Sequence, residues 1–155
     1  MKRKIIRYSL ITIALVVVIG GSYAAYVWFM PHRDVQATPV DYNIAATQLV
    51  NEYLEDATMA NDKYLQEEGD SKIIAVTGTI ASIETDMNDQ KVVLLKNEGE
   101  EAGVSCTFTA ESNTNAERLN VGDQVTLKGV IRSGATYDED LELFEDVIIE
   151  KCDIL

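Results

Sequence analysis

Histidine is nearly absent from this chain: among 155 residues there is one, His32. It directly follows a long apolar segment, so a Ser-His-Asp or Cys-His arrangement would need it to fold back onto the rest of the protein. Carboxylates are plentiful, but nothing in the pattern selects a pair for general acid and base catalysis. The sequence therefore predicts a non-catalytic protein that needs no cofactor, with an uncharacterised enzyme as an alternative.

Basic residues are also scarce, with 13 Lys and Arg against 26 Asp and Glu, for a net charge of -13. Lys2, Arg3, Lys4 and Arg7 are the only charges before His32, so 13 minus 4, or 9, basic residues face all 26 acidic ones in the remainder. A surface this acidic repels phosphate backbones and anionic lipid headgroups. We expect neutral, cationic or metal-bound partners, and we do not expect nucleic acid to bind.

Only two cysteines occur, Cys106 and Cys152, without a Cys-X-X-Cys spacing and in acidic surroundings. This setting argues against a redox enzyme with a reactive thiolate. The two cysteines fall in what should be the third and fifth strands of the domain, which are neighbours in a small barrel. Outside the cytoplasm they can form a disulfide if their Cα atoms come within about 7 Å. Otherwise each is a small buried hydrophobe, and both interpretations stay open.

One long run lacks charge entirely: Tyr8 to Met30, YSLITIALVVVIGGSYAAYVWFM, which is 30 minus 8 plus 1, or 23, positions. As a helix rising about 1.5 Å per residue, it is long enough to cross a hydrocarbon core. The basic residues before it place the N-terminus in the cytoplasm by the positive-inside rule. The sequence thus predicts a single-pass protein of the cytoplasmic (inner) membrane, with lipid around the helix and the domain outside the cytoplasm.

A cleaved signal peptide is the alternative for this segment. Ser22 and Ala24 are small residues at the two positions that a signal peptidase inspects. The apolar run continues past them to Met30, however, which a cleavable signal does not require. No cysteine lies near the end of the segment, which excludes lipid attachment there.

The rest of the chain divides into a linker, residues 31–40, and a domain, residues 41–155. The linker contains both prolines, Pro31 and Pro39. From Asp41, a candidate N-cap, apolar residues recur mostly at three- to four-residue steps and predict one amphipathic helix that packs on the domain. Its apolar stripe consists of Ile44, Leu49, Tyr53, Ala57, Ala60 and Tyr64.

After this helix the pattern predicts five strands: residues 72–84, 91–96, 104–108, 124–132, and from 141 to the C-terminus. In the first, Gly78 lies mid-strand and the apolar positions change parity after Ile80, which is typical of a bulge that lets a strand bend. The last strand also changes parity, between Ile149 and Cys152. With a helix-capable stretch between the third and fourth strands, these features favour a small closed barrel of the OB type, a five-stranded Greek key.

Several stretches also resemble a known family: "ANDKY", "IIAVTGTIASIE", "VSCTF", "LNVGDQVTLKGVI" and "VIIEKCDI". They are similar to successive blocks of the tRNA_anti-like family, a bacterial OB-fold family named for its likeness to tRNA-anticodon-binding domains. The resemblance spans roughly Ala45 to Ile154. It implies an OB fold, and the members are typically small membrane-anchored proteins or lipoproteins of unknown function. The chain departs from the family pattern in the longer link "QEEGDSK" and in the acidic stretch before the last strand.

An OB fold that binds single-stranded nucleic acid needs a basic groove with aromatic platforms on its second and third strands. Here those strands offer Lys91, Lys96 and Phe108, and Phe108 has the same parity as Val104 and Cys106, which predicts a core aromatic. Acidic residues flank them: Glu98, Glu100, Glu101 and Glu111. Single-stranded nucleic-acid binding is therefore an alternative rather than the main prediction.

Metal binding has little support in the sequence. "DMNDQK" begins like a calcium loop at Asp86 and Asn88, but Lys91 stands where the loop needs glycine and Asn97 where it needs glutamate. A hairpin turn is predicted there instead. The main hypothesis is an envelope module that binds a protein, glycan or small ligand through a barrel face or through the loops Asp86 to Asp89 and Thr136 to Asp140.

Overall fold

The computed structural model describes residues 15–26, 28, 34–65 and 71–155. It divides into two compact units, one up to Arg33 and one from Asp34 to Leu155. In the first unit, residues 15–26 form helix α1. None of the helices in the described ranges has both the length and the apolar character that crossing a membrane requires. The predicted span lies only partly in these ranges, and Lys2, Arg3, Lys4, Arg7 and His32 lie outside them.

The second unit is mainly β and is built on a closed barrel of five strands. In order around the barrel these are β2 (Ile73–Thr85), β3 (Lys91–Leu95), β4 (Val104–Phe108), β8 (Val147–Ile154) and β5 (Gln124–Ser133), and β5 pairs with β2 to close it. The β4–β8 pair is parallel, whereas the other four pairs are antiparallel. This is the strand order of an OB fold. The prediction of a five-stranded barrel is confirmed.

β2 serves both halves of the barrel. Its first half, Ile73 to Thr79, pairs with β5, and its second half, from Ile80, pairs with β3, with a register shift between Ile80 and Ser82. Gly78 lies at the change of partner, where a Cβ atom would come 3.0 Å from the Ala46 Cβ and 3.1 Å from the Leu95 Cβ. A side chain there would crowd the bend, so glycine suits this position.

The prediction of one helix from Asp41 to Tyr64 is wrong. The structure has instead strand β1 (Tyr42–Ala45), helix α2 (Ala46–Glu55) and helix α3 (Ala57–Tyr64). β1 forms because Asp41, the expected N-cap, bonds β2: its amide donates to the Ile73 carbonyl at 2.7 Å, and its carboxylate accepts from the Ile73 amide at 2.8 Å. β1 then runs parallel to β2.

Asp56 separates the two helices. It adopts an extended conformation, and its carboxylate caps α3 by accepting a hydrogen bond from the Met59 amide at 2.9 Å. Four residues of the predicted apolar stripe are buried in these helices, but Ala57 is exposed. The four are Leu49, Tyr53, Ala60 and Tyr64.

The region between β5 and β8 also differs from the prediction. The expected polar loop contains strand β6 (Thr136–Asp138), which pairs with β7 (Leu143–Glu145) in a small separate hairpin. The final strand therefore begins at Val147 rather than at Leu141. Its expected change of parity is confirmed: Lys151 has φ 56° and marks a bulge, and Ile149 and Cys152 on either side of it are both buried.

Residues 34–40 of the predicted linker pack along the barrel as a strap. The Lys128 ammonium on β5 donates to the Gln36 carbonyl at 2.8 Å, and the Gln36 side-chain amide donates to the Lys151 carbonyl on β8 at 2.6 Å. Val35 is only 5% exposed. Ala75 on β2, the register partner of Lys128, is also buried. We infer that the strap covers the outer side of the barrel along β2 and β5.

Candidate functional site

The outer sides of β3, β4 and β8 form the candidate site, which we call the neutral face. Along these strands the inward side chains are buried and the alternate ones are partly exposed. Leu94, Ser105 and Ile148 lie side by side across the three strands by register. The neutral face comprises six residues: Val92, Leu94, Ser105, Thr107, Ile148 and Glu150.

The neutral face contrasts with the rest of an acidic protein, because only Glu150 among its six side chains is charged. That carboxylate lies 3.9 Å from the Nε atom of Arg132, at the edge of the face on β5. Ile148 is 40% exposed. Such a surface offers apolar contact and hydroxyl groups to a partner, with little electrostatic repulsion of neutral ligands.

The residues expected for nucleic-acid binding do not combine into a basic, aromatic groove. Phe108 is 1% exposed and belongs to the core, as predicted. Lys91 and Lys96 lie at opposite ends of β3, where each ammonium is hydrogen-bonded: to the Thr85 hydroxyl at 2.9 Å and to the Glu101 carbonyl at 3.0 Å, respectively. The strands β3 and β4, which are fully described, present no outward aromatic side chain.

The two loops predicted to bind a partner lie at opposite ends of the neutral face. The turn after β2 is a tight hairpin turn, as expected, in which the Asp86 carboxylate accepts from the amides of Asn88 and Gln90. It is held beside helix α4 (Asn113–Ala116), because the Asn113 side chain bonds the Asp89 carbonyl and the Lys91 amide. Thr136 to Asp140 instead belong to the β6–β7 hairpin.

The β6–β7 hairpin is attached near the start of β4. The Asp146 carboxylate accepts from the Gly103 amide at 2.6 Å, and the Val147 amide donates to the Gly103 carbonyl at 3.0 Å. On one side of the hairpin the Tyr137 and Phe144 rings pack against each other with centroids 4.8 Å apart and planes inclined by 53°, and Tyr137 is 46% exposed. Asp138, Glu139 and Asp140 directly follow Tyr137.

A groove of about 280 Å³ lies between α2 and the β3–β4 loop. On its polar side the Glu100 carboxylate accepts from the Thr47 hydroxyl at 2.5 Å and from the Asn97 backbone amide at 2.8 Å. Burial raises the pKa of Glu100, but these hydrogen bonds outweigh burial and hold the pKa below its ordinary value. Glu100 is thus a structural anion that fixes the loop to α2.

Metal chemistry has no support in the part of the chain that the structure describes. Within the described ranges, no group of three or more His, Cys, Asp or Glu side chains is arranged to hold a metal ion. Cys106 and Cys152 are both free and fully buried, in β4 and β8. They lie beneath the neutral face, not on it.

The sequence prediction missed the neutral face. The alternation in β4 is visible in the sequence, but the residues between its core positions, Ser105 and Thr107, are neither charged nor aromatic and so do not mark a binding site. The strap was missed as well, because its anchors on Lys128 and Lys151 are distant in sequence.

Comparison with known proteins supports the fold. One similar solved structure is a Klebsiella pneumoniae protein described as a "putative nucleic acid-binding lipoprotein", with a TM-score of 0.54 and 15% identity over 76% of this chain and 99% of that one. At this identity the likeness shows a shared fold. No curated protein matches the chain. The tRNA_anti-like family model matches residues 1–140, most of the sequence, and the chain belongs to that family.

Proposed function

We propose that this protein is a non-catalytic binding module of the cell envelope, and that its neutral face takes up the partner. One observation carries the proposal: in a protein of net charge -13, five of the six residues of the neutral face, on three adjacent strands, are uncharged and partly exposed. OB folds bind their ligands on this part of the barrel. The partner is a neutral or cationic protein, glycan or small ligand.

The strap explains why the neutral face, rather than another side of the barrel, is accessible to a partner. On the β2–β5 side, Ala75 is buried and Lys128 is only 7% exposed, whereas Ile148 on β8 is 40% exposed. A barrel has one continuous outer surface, so covering one part of it leaves the remainder as the place for a partner.

The envelope location rests on the sequence. The uncharged run Tyr8 to Met30 and the basic residues before it favour a membrane anchor with the barrel outside the cytoplasm. The Klebsiella protein with the similar fold is described as a lipoprotein, which agrees with an envelope location.

Nucleic-acid binding is the second candidate, and the description of the Klebsiella protein favours it. Tyr137 would supply a stacking surface, and Lys91 and Lys96 would supply positive charge at the ends of β3. Against this stand the hydrogen bonds of both lysines and the run of carboxylates beside Tyr137. Repulsion from these carboxylates would oppose the approach of a phosphate backbone.

The test is site-directed photocrosslinking in intact cells with the full chain. A photoreactive residue at Ser105, on the neutral face, is compared with one at Val121, which is 63% exposed in the turn before β5. We expect one reproducible adduct from Ser105 and none from Val121. Ile148→Glu should abolish the Ser105 adduct, and Val121→Glu, with the same added charge elsewhere, should leave it unchanged.

Two results would overturn the proposal. Adducts that are equal at both positions, or that survive Ile148→Glu, would show that the neutral face is not the binding site. Salt-sensitive binding of a single-stranded oligothymidine that Lys91→Gln and Lys96→Gln weaken would establish the second candidate instead.

A further inference from the structure

The two cysteines lie on neighbouring strands in the same part of the core. Both are 0% exposed. In the parallel β4–β8 pair, Cys106 is opposite Ile149, and Phe108 is opposite Cys152. Cys152 is three positions after Ile149, so in a regular strand their side chains would point to opposite faces. The bulge at Lys151 adds one residue and turns Cys152 inward, toward Cys106.

The surroundings of Cys152 are shaped to hold its sulfur at this position. A Cβ atom on Gly129, in the adjoining strand β5, would come 2.8 Å from the Cys152 Sγ atom and 2.5 Å from the Ile149 Cγ2 atom. The Ser112 hydroxyl donates to the Cys152 carbonyl at 2.6 Å and fixes the backbone. Burial raises the pKa of the Cys152 thiol, and the neighbouring Cys106 thiol raises it further. The two sulfur atoms are therefore neighbours in a dry interior.

We propose that Cys106 and Cys152 form an intramolecular disulfide when the protein folds outside the cytoplasm, and that this bond locks the C-terminal strand β8 to β4. The structure describes the reduced form, with both thiols free. The inference rests on the location outside the cytoplasm given in the proposed function, but not on what the neutral face binds.

The oxidant is a disulfide-bearing donor, either a thiol oxidoreductase or oxidised glutathione. One cysteine thiolate attacks the donor disulfide and forms a mixed disulfide, with one donor thiol leaving. The second thiolate then attacks the protein sulfur of the mixed disulfide and displaces the other donor thiol. The two protein thiols lose two electrons and two protons in total, and the donor is reduced to two thiols.

Burial determines when the bond can form. In the closed barrel neither sulfur is accessible, and a raised pKa keeps Cys152 in the unreactive thiol form. Oxidation therefore precedes the seating of β8 against β4. Once formed, the bond closes a loop of 152 minus 106, or 46, residue steps and is shielded from reductants. It also fixes Ile148 and Glu150 of the neutral face relative to Ser105.

The test uses the full chain in detergent, refolded from denaturant with either oxidised glutathione or a strong reductant. After refolding, alkylation of free thiols under denaturing conditions and peptide mapping by mass spectrometry report the state of each cysteine. We expect the oxidised sample to contain no free thiol and to give one linked peptide joining Cys106 and Cys152. Both thiols still free, or only glutathione adducts and intermolecular dimers, would overturn the proposal.

Two further measurements test the timing and the locking of β8. Folded, reduced protein should react with an alkylating reagent far more slowly than denatured protein; equal rates would contradict the argument from burial.

When reductant is added to the oxidised protein, the denaturant concentration at the midpoint of unfolding should fall. The midpoint of a Cys106→Ala/Cys152→Ala variant should not change with reductant. An equal response of the two would show that the reductant acts elsewhere. The mapping of the unaltered chain decides the question even if this variant fails to fold.

Discussion

At the scale of single residues, Gly134 shows how one missing side chain lets a helix pack on the barrel. A Cβ atom there would lie 2.0 Å from the Cδ1 atom and 2.1 Å from the Cε1 atom of Tyr53 on α2. Tyr53 is 2% exposed and packs against the Tyr64 ring, so it has little room to move away. We expect Gly134→Ala to lower the free energy of unfolding by about 1–3 kcal/mol, as other overpacked cores do. Urea denaturation measures this.

A double-mutant cycle separates the clash with Tyr53 from an effect on the backbone. In a Tyr53→Leu background the ring is absent. Gly134→Ala should then lower the free energy of unfolding by only a small part of the amount it removes from the parent protein. An equal cost in both backgrounds would show that the strain lies in the chain around Gly134 and not at the ring.

At the scale of elements, the break between α2 and α3 depends on one carboxylate. Asp56 accepts from the Met59 amide at 2.9 Å and satisfies a donor that the start of α3 leaves unpaired. Asp56→Ala should lower the free energy of unfolding by about 1 kcal/mol, whereas Asp56→Asn, which keeps an acceptor oxygen, should cost much less. Denaturation midpoints of both variants check this. Equal losses would mean that the negative charge, rather than the cap, is what matters.

Local alternation made the barrel strands predictable. The alternating burial of β4 and the buried core position of Phe108 agree with the sequence pattern. In the tight turn before β5, Gly122 has φ 92°, a conformation that glycine adopts readily. These features depend on side-chain period and on glycine, which are properties of short stretches.

The elements that depend on distant partners were not predictable in the same way. β1 exists because Asp41 and Ile73 bond each other across 32 residues, while the helical period around it suggested an earlier helix start. β6 and β7 are three residues each, and their charges are typical of a loop. The neutral face could be derived only in part: alternation identifies outward residues, but the strap decides which outward residues remain exposed.

At the scale of the whole molecule, the excess of negative charge should govern how stability responds to salt. Residues 34–155 hold all 26 acidic residues and 13 minus 5, or 8, of the basic ones, so most carboxylates face like charges. This self-repulsion opposes the compact state. Raising ionic strength from about 0.01 M to 0.15 M shortens the screening length from about 30 Å to about 8 Å. Screening should therefore stabilise the fold.

We expect the unfolding temperature at pH 7 to rise by about 4 °C over this range, which corresponds to on the order of 1 kcal/mol for a domain of this size. Thermal melts in sodium chloride measure the effect. The combined variant Glu139→Gln, Asp140→Asn and Glu142→Gln removes three exposed charges from the β6–β7 hairpin and should reduce the salt effect. If salt instead lowered the unfolding temperature, attraction in ion pairs such as Lys63–Glu52, at 2.7 Å, would outweigh the net repulsion.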